Sequence, residues 1–355
     1  MKFAPVIIPT LNRYEHLKKC IESLEKCTYA EQTDVYIGLD YPPSGKYVDG
    51  WRKTDKYLRE KECCNNFKSL KVYRRQTNYF FSGKNNAGSI IAEIKKTNDR
   101  FIFSEDDNEF SPNFLDYMNK CFEKYQNNQD IVSISGYSYP VNWARSKNAT
   151  VQIQNFNASA WGRGVWIDKA DKMAEDLGNS ILFKEAIIDI KNQKYKRLID
   201  PALIEYSRCI LGGTSQMYKT TSDIGMRLYI AMCDKYVVSP LISLVRNHGF
   251  DGSGVYCDNN NSYLNNAHAL SYNYSSQPID AKKYFEIVEN DSSLLEKNRL
   301  LLKYFDSRPK QKTFLAKLVV YFAKYNLLGI LRFVFHYYFD IRKYYRKIKK
   351  SNNLH

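Results

Sequence analysis

The order of apolar and polar positions splits the first hundred residues into short runs and longer amphipathic stretches. Phe3–Thr10 (FAPVIIPT) is a short apolar run, the pattern of a strand buried on both faces. Tyr14–Lys26 carries Leu17, Cys20, Ile21 and Leu24 at i, i+3, i+4 and i+7, which predicts an amphipathic helix. Thr33–Leu39 and Leu70–Arg74 predict two more strands. Val48–Glu62 and Asn85–Lys96 predict helices, the latter with Ala87, Ile90, Ile91 and Ile94 as its apolar stripe. Arg100–Phe103 predicts a fourth strand. Strands that alternate with helices imply the α/β class and a mostly parallel sheet.

The second half is less regular. Ile131–Ser135 predicts a strand and Gly136–Ser146 an aromatic loop. Asn157–Trp166 packs two Trp and two Gly into ten residues, which suits either a Trp-anchored turn in the core or an aromatic surface for a ligand. Helices are expected over Ile167–Leu177, Ile181–Tyr195, Pro201–Leu211 and Asp223–Asp234. Tyr236–Ser239 and Leu241–Arg246 are strand-like. Asn247–Gly254 (NHGFDGSG) is a Gly-rich loop, and mostly loop is expected from there to Gln277.

In parallel sheets ligands bind at the carboxyl ends of the strands. Arg13 follows the first predicted strand, Asp40 the second, and Glu105, Asp106 and Asp107 the fourth. Three adjacent carboxylates repel one another, and a hard divalent cation such as Mg²⁺ or Mn²⁺ would relieve the conflict. A solvated acidic turn is the plainer alternative. Asn108–Pro112 has turn chemistry, with a helix expected to start at Ser111-Pro112. Neither Gly-x-Gly-x-x-Gly nor Gly-x-x-x-x-Gly-Lys-Ser/Thr occurs, which argues against a dinucleotide site or an NTPase.

The 355 residues suffice for one large domain or two, and 44% hydrophobic content is that of a folded protein. The eight Cys show no zinc spacing, and no signal peptide is seen, so a reducing cytoplasm is expected. Charge is uneven. Of a net +15, a surplus of eleven lies between Leu301 and Lys350. There, Phe314–Phe339 is apolar and aromatic but interrupted by Lys317, Lys324 and Arg332, and IRKYYRKIKK follows. Central charges suit a spanning helix badly. The pattern is that of a basic amphipathic helix on an anionic membrane surface, at the inner face of the plasma membrane. A helix packed on the core and an RNA-binding tail are the alternatives; no nucleic-acid partner is expected.

Taken together, APVIIPTLNRYEHLKKCIESL, FIFSEDDNEFSPNFLDYM, SAWGRGVW, TSDIGMRL and SPLISLVRNHGFDGSG resemble the GT-A class of nucleotide-sugar glycosyltransferases. The likeness is to bacterial family-two-like members and to the N-acetylglucosaminyltransferase I type, over roughly residues 3–258. The resemblance implies a GT-A, Rossmann-like, mostly parallel sheet flanked by helices. With the tail read from its charge and apolar length, the chain divides into a nucleotide-sugar half (1–125), an acceptor half (126–300) and a basic tail (301–355). The resemblance implies that Asp107 holds the metal, Mn²⁺ or Mg²⁺, and that Asp106 and Glu105 contact the donor. Asp40 would hold uracil or ribose, Arg13 would reach nucleobase or phosphate, and Trp161 would line the donor side. Asp223 falls at the general base. Tyr256 and Cys257 stand where related chains carry a His on the closing loop.

The expected activity is metal-dependent, inverting transfer of a hexosyl or N-acetylhexosaminyl group. The donor would be a nucleotide sugar, most simply a UDP-sugar, and the acceptor a glycan or lipid-linked glycan of a bacterial surface polysaccharide. A sugar nucleotidyltransferase and a non-catalytic glycan-binding or scaffold protein of the same fold are the alternatives. The nucleotidyltransferase normally opens with a Gly-rich basic loop, which Pro9–Arg13 lacks.

Overall fold

The computed structural model describes residues 2–79, 82, 84–178, 197–212, 223–254, 272–307, 310–328 and 331. Within them the chain runs β1 (Val6–Thr10), α1 (Tyr14–Glu25), β2 (Asp34–Leu39), α2 (Val48–Cys63), β3 (Ser69–Arg74), α3 (Asn86–Ile94) and β4 (Arg100–Phe103). It continues through β5 (Asn108–Phe110), α4 (Phe114–Tyr125), β6 (Ile131–Ser135), β7 (Val151–Gln154), β8 (Arg163–Trp166) and α5 (Ile167–Gly178). Then come α6 (Asp200–Gly212), α7 (Asp223–Met232), β9 (Tyr236–Pro240), β10 (Val245–Asn247), α8 (Leu295–Phe305) and α9 (Lys310–Lys324).

Eight strands form one sheet in the order β3-β2-β1-β4-β8-β6-β9-β7. Only β8 and β7 run against the other six, so the sheet is mostly parallel, the α/β arrangement expected from the alternating pattern. β1 shows why a continuous apolar run was needed. Val6 and Ile8 point into the cluster shared with α1 and α4, while Ile7 points to the opposite face with Ile90 and Ile94 of α3. Each such side chain, fully buried, contributes about 1.5–3 kcal/mol.

Two expectations change. Asn108–Phe110 is not a turn but β5, paired antiparallel with β10 through Asn108↔Asn247 and Phe110↔Val245. That small ribbon anchors the Gly-rich loop over the end of β4. Within the Trp/Gly stretch, Arg163–Trp166 is β8, an antiparallel strand between β4 and β6 and buried throughout. Gly162, at φ +62°, makes the turn into it, with Phe114 filling the space that a Cβ would need. The sequence pattern missed β8 because two glycines in eight residues read as punctuation, and a strand buried on both faces shows no alternation.

The tail also departs from the expected single helix. α9 ends at Lys324, and Asn326 takes a left-handed conformation at φ 59°, breaking the run. One face of α9 is docked: Ala316, Val320 and Ala323 are buried in the cluster that contains Leu203 and Tyr206 of α6. Phe314, Leu315, Tyr321 and Phe322 remain exposed. No helix among the described residues is long and apolar enough to cross a membrane. The helix expected at Ile181–Tyr195 lies outside the described residues, as do Tyr256, Cys257 and the polybasic end.

Candidate active site

β2, β1 and β4 are neighbours running in one direction, so Asp40, Arg13 and the acidic triplet emerge side by side at one sheet edge. The sequence spacing is thereby converted into a cluster. Asp40 is buried, and its Oδ1 accepts the backbone N–H groups of Tyr41 and Tyr79, each at 2.8 Å. This fixes the carboxylate between the ends of β2 and β3.

Asp106 and Asp107 are 4% and 7% exposed. Arg13 spans them: its guanidinium bonds Asp106 Oδ1 through Nη2 and lies 2.9 Å from Asp107 Oδ2 through Nη1. Thr10 Oγ1 donates to Asp106 Oδ2 at 2.7 Å, and Asn247 Nδ2 donates to Asp107 Oδ1 at 2.7 Å. Burial alone would lower the Arg13 pKa, but the charges of Asp106 and Asp107 outweigh it and raise it above the usual value. Burial raises the Asp106 carboxyl, against the pull of Arg13 and Thr10. Glu105 is pushed up to about 8, by burial first and then by the charges of Asp107, Asp223 and Asp106.

That last influence brings in Asp223, the first residue of α7, which lies within electrostatic reach of Glu105 although 118 positions separate them in the sequence. Arg163, at the start of β8, is a third member that the sequence reading missed. It is buried, which lowers its pKa, and the charges of Asp223 and Glu105 oppose that shift. Nothing in the sequence signals this role, because it depends on β8 being inserted beside β4, with Arg163 opposite Phe103.

The Gly-rich loop closes over the triplet. The His248 N–H donates to Asp107 O at 2.8 Å, and Gly249 lies so close that a Cβ there would sit 2.1 Å from Asp107 Oδ2. The loop is latched from outside as well: His248 Nε2 lies 2.7 Å from Glu109 Oε2, and His16 Nε2 lies 3.1 Å from Asp251 Oδ2. Trp161 faces this loop within an aromatic cluster, its ring 5.7 Å from Phe250, 5.6 Å from Tyr274 and 4.5 Å from Tyr137.

Carboxylate oxygens are the ligand type of a hard cation, and here each oxygen of Asp106 and Asp107 already accepts from Arg13, Thr10 or Asn247. Two buried carboxylates converge, and a guanidinium already stands in the position of positive charge between them. Among the described residues no group of three or more His, Cys, Asp or Glu could hold a metal.

No family model and no curated protein matches the chain. Among solved structures it is similar to S. aureus TarS 1–349 in complex with UDP (16% identity, 50% of this chain and 49% of that one, TM-score 0.35). It is also similar to the mannosyltransferase PcManGT from Pyrobaculum calidifontis in complex with GDP-Man and Mn²⁺ (10% identity, 50% and 46%, TM-score 0.31). A third likeness is to the apo-form glycosyltransferase GlyE of Streptococcus pneumoniae TIGR4 (10% identity, 67% and 44%, TM-score 0.29). The chain spans less than half the length of each of these three. At such TM-scores a likeness assigns no function.

Proposed function

We propose that the chain is an inverting nucleotide-sugar glycosyltransferase that uses a divalent cation. The observation that carries this reading is the convergence at one sheet edge. Arg13, Asp40 and the acidic triplet leave three adjacent parallel strands, with Asp223 in electrostatic reach and the 247–254 loop closed over Asp107. Such an edge is where α/β sheets bind nucleotides.

In this reading Asp40 orients the nucleoside and Arg13 meets the diphosphate, with Asp106, Glu105 and Trp161 on the donor side. A divalent cation bound at Asp107 would neutralise charge on the departing diphosphate. Asp223 accepts the proton of the acceptor hydroxyl as that oxygen bonds to the anomeric carbon and the bond to the diphosphate breaks. A single displacement with one base inverts the anomeric centre. Holding donor and acceptor in line supplies much of the remaining rate advantage. The family resemblance in the sequence favours a UDP-sugar donor and a glycan or lipid-linked acceptor in bacterial surface polysaccharide synthesis.

The apolar, outward face of α9, with Lys310 and Lys317 on the same helix, supports attachment to an anionic membrane surface at the cytoplasmic leaflet. There the site would be within reach of a lipid-linked acceptor. The deciding experiment is a panel of nucleotide sugars scored by Mn²⁺-dependent nucleotide release. One or two donors should be turned over, and the signal should vanish in Asp107→Ala. No release from any donor, with acceptor lipid supplied, would sink the reading in favour of a binding protein.

A further inference from the structure

Asp223 begins α7, and Arg227 stands one turn further along the same helix, so the two side chains lie on one face of it. Arg227 Nε donates to Ala158 O at 3.0 Å, and its Nη2 donates to the Tyr139 hydroxyl oxygen at 3.0 Å. On the glycosyltransferase reading, in which Asp223 is the general base, we propose that Arg227 is the positioning residue for that base. Its guanidinium holds the first turns of α7 against the loops that carry Tyr139 and Trp161, and so fixes where the Asp223 carboxylate stands.

Both partners lead to Trp161. Ala158 precedes it by three residues, and the Tyr139 ring meets Tyr137 edge-on at 5.1 Å, which in turn meets Trp161 at 4.5 Å. The planar fork of a guanidinium lets one side chain tie two separate loops to a helix. Packing alone does not call for it. The neighbours Met226, Leu228, Tyr229 and Ile230 are buried in an apolar cluster, where an uncharged side chain would cost less to bury. Burial would lower the Arg227 pKa, but Tyr139, Asp223 and Asp306 outweigh it and raise it above the usual value. Asp223 is thus within electrostatic reach of Arg227 on its own helix, and of Glu105 and Arg163 at the sheet edge. A base displaced by about 1 Å can lose about 10²-fold in rate, so an anchor one turn away is enough to matter.

The test follows UDP release, in the presence of Mn²⁺, from the UDP-sugar that wild type turns over fastest. It compares the full chain as wild type, Arg227→Met, Asp223→Asn and the double variant. Arg227→Met should lower kcat about 10–100-fold while KM for the donor stays within about twofold, the mark of an interaction that acts in the chemical step. In the Asp223→Asn background the same change should alter the residual rate by less than about threefold, because the anchor has no base left to place. A merely structural residue would cost the same factor in both backgrounds, and that result overturns the inference. So does an Arg227→Met protein, shown folded by circular dichroism, that keeps wild-type kcat. If Arg227→Met does not fold, Tyr139→Phe keeps the ring and removes one anchor. It should lower kcat about 3–10-fold in the wild-type background and leave the Asp223→Asn rate unchanged; equal loss in both overturns the inference. No release from any donor removes the glycosyltransferase reading and this inference with it, and an Asp223→Asn protein at wild-type rate removes the base assignment and this inference together. Release that is slowed by Asp223→Asn but not by Arg227→Met removes this inference alone.

Discussion

Asn247 and Asp107, 140 positions apart in the sequence, are joined by a buried hydrogen bond of 2.7 Å from Nδ2 to Oδ1. Asn247 Oδ1 also accepts the Gly249 N–H at 2.9 Å, so one side chain fixes both the acidic triplet and the loop above it. Asn247→Asp would put a second carboxylate against Asp107 and should destabilise the fold by about 3–5 kcal/mol, the scale for a buried charge left unpaired. Asn247→Ala, which only removes the bond, should cost about 1–3 kcal/mol. Chemical denaturation measures both. An Asp variant no less stable than the Ala variant would show that the loop does not close on Asp107.

Asp223→Asn should slow transfer by roughly 10²–10⁴-fold, the range for a lost general base, while donor affinity stays within about twofold. A steady-state comparison of transfer with UDP binding decides this; unchanged transfer would pass the role to Asp251, whose carboxylate is paired with His16. The control must be chosen from the structure. Asp116 is fully buried, and its Oδ2 accepts both Lys120 Nζ at 2.8 Å and the Phe285 N–H at 2.7 Å. Its loss would unsettle the fold, so it is no neutral control, although it looks like a simple helix residue in the sequence. Asp49→Asn, on the exposed start of α2, serves instead.

Lys169 gives a pH signature. Its buried amino group donates to the carbonyls of Tyr125, Asn128 and Ile131 at 3.2, 2.8 and 2.8 Å, and burial lowers its pKa from 10.5 to about 8. Between those two values the unfolded chain holds the extra proton and the native chain does not, so this group makes stability rise with pH. Lys169→Met should cost about 2–4 kcal/mol at pH 7.5, since three carbonyls lose a donor. The gap between wild type and variant should widen from pH 8 to pH 10. A gap that narrows over that interval would contradict the assignment.

Truncation must respect the docking of α9. Thr313 reaches Asp200 at 3.4 Å, and Ala316, Val320 and Ala323 fill the cluster beside α6, so cutting before Thr313 should destabilise the fold. Removing residues 332–355 leaves that contact in place. This shorter chain should keep wild-type donor hydrolysis and lose most binding to phosphatidylglycerol vesicles, since each Lys or Arg near such a surface contributes about 1 kcal/mol. Sedimentation in low and high salt reads this out. Binding equal to that of the full chain would confine membrane attachment to the exposed face of α9.

The sequence by itself determined the elements whose patterning is local. β1 to β4 with α1 to α3 follow from apolar periodicity, and the positions of Arg13, Asp40 and Glu105–Asp107 at strand ends follow from the parallel order. The acidic triplet was legible because three adjacent carboxylates make a conflict visible without any fold. Tertiary structure alone decided the rest. Pairing partners carry no local mark, so β5 with β10, and β8 between β4 and β6, had to be seen in space. Only that pairing sets Asn247 and Gly249 on Asp107 and brings Arg163 toward Glu105 and Asp223. Which cation stands between Asp106 and Asp107 was likewise not a property of the triplet. It depended on where the end of β1 aims the long side chain of Arg13, and in this fold it aims it at both carboxylates.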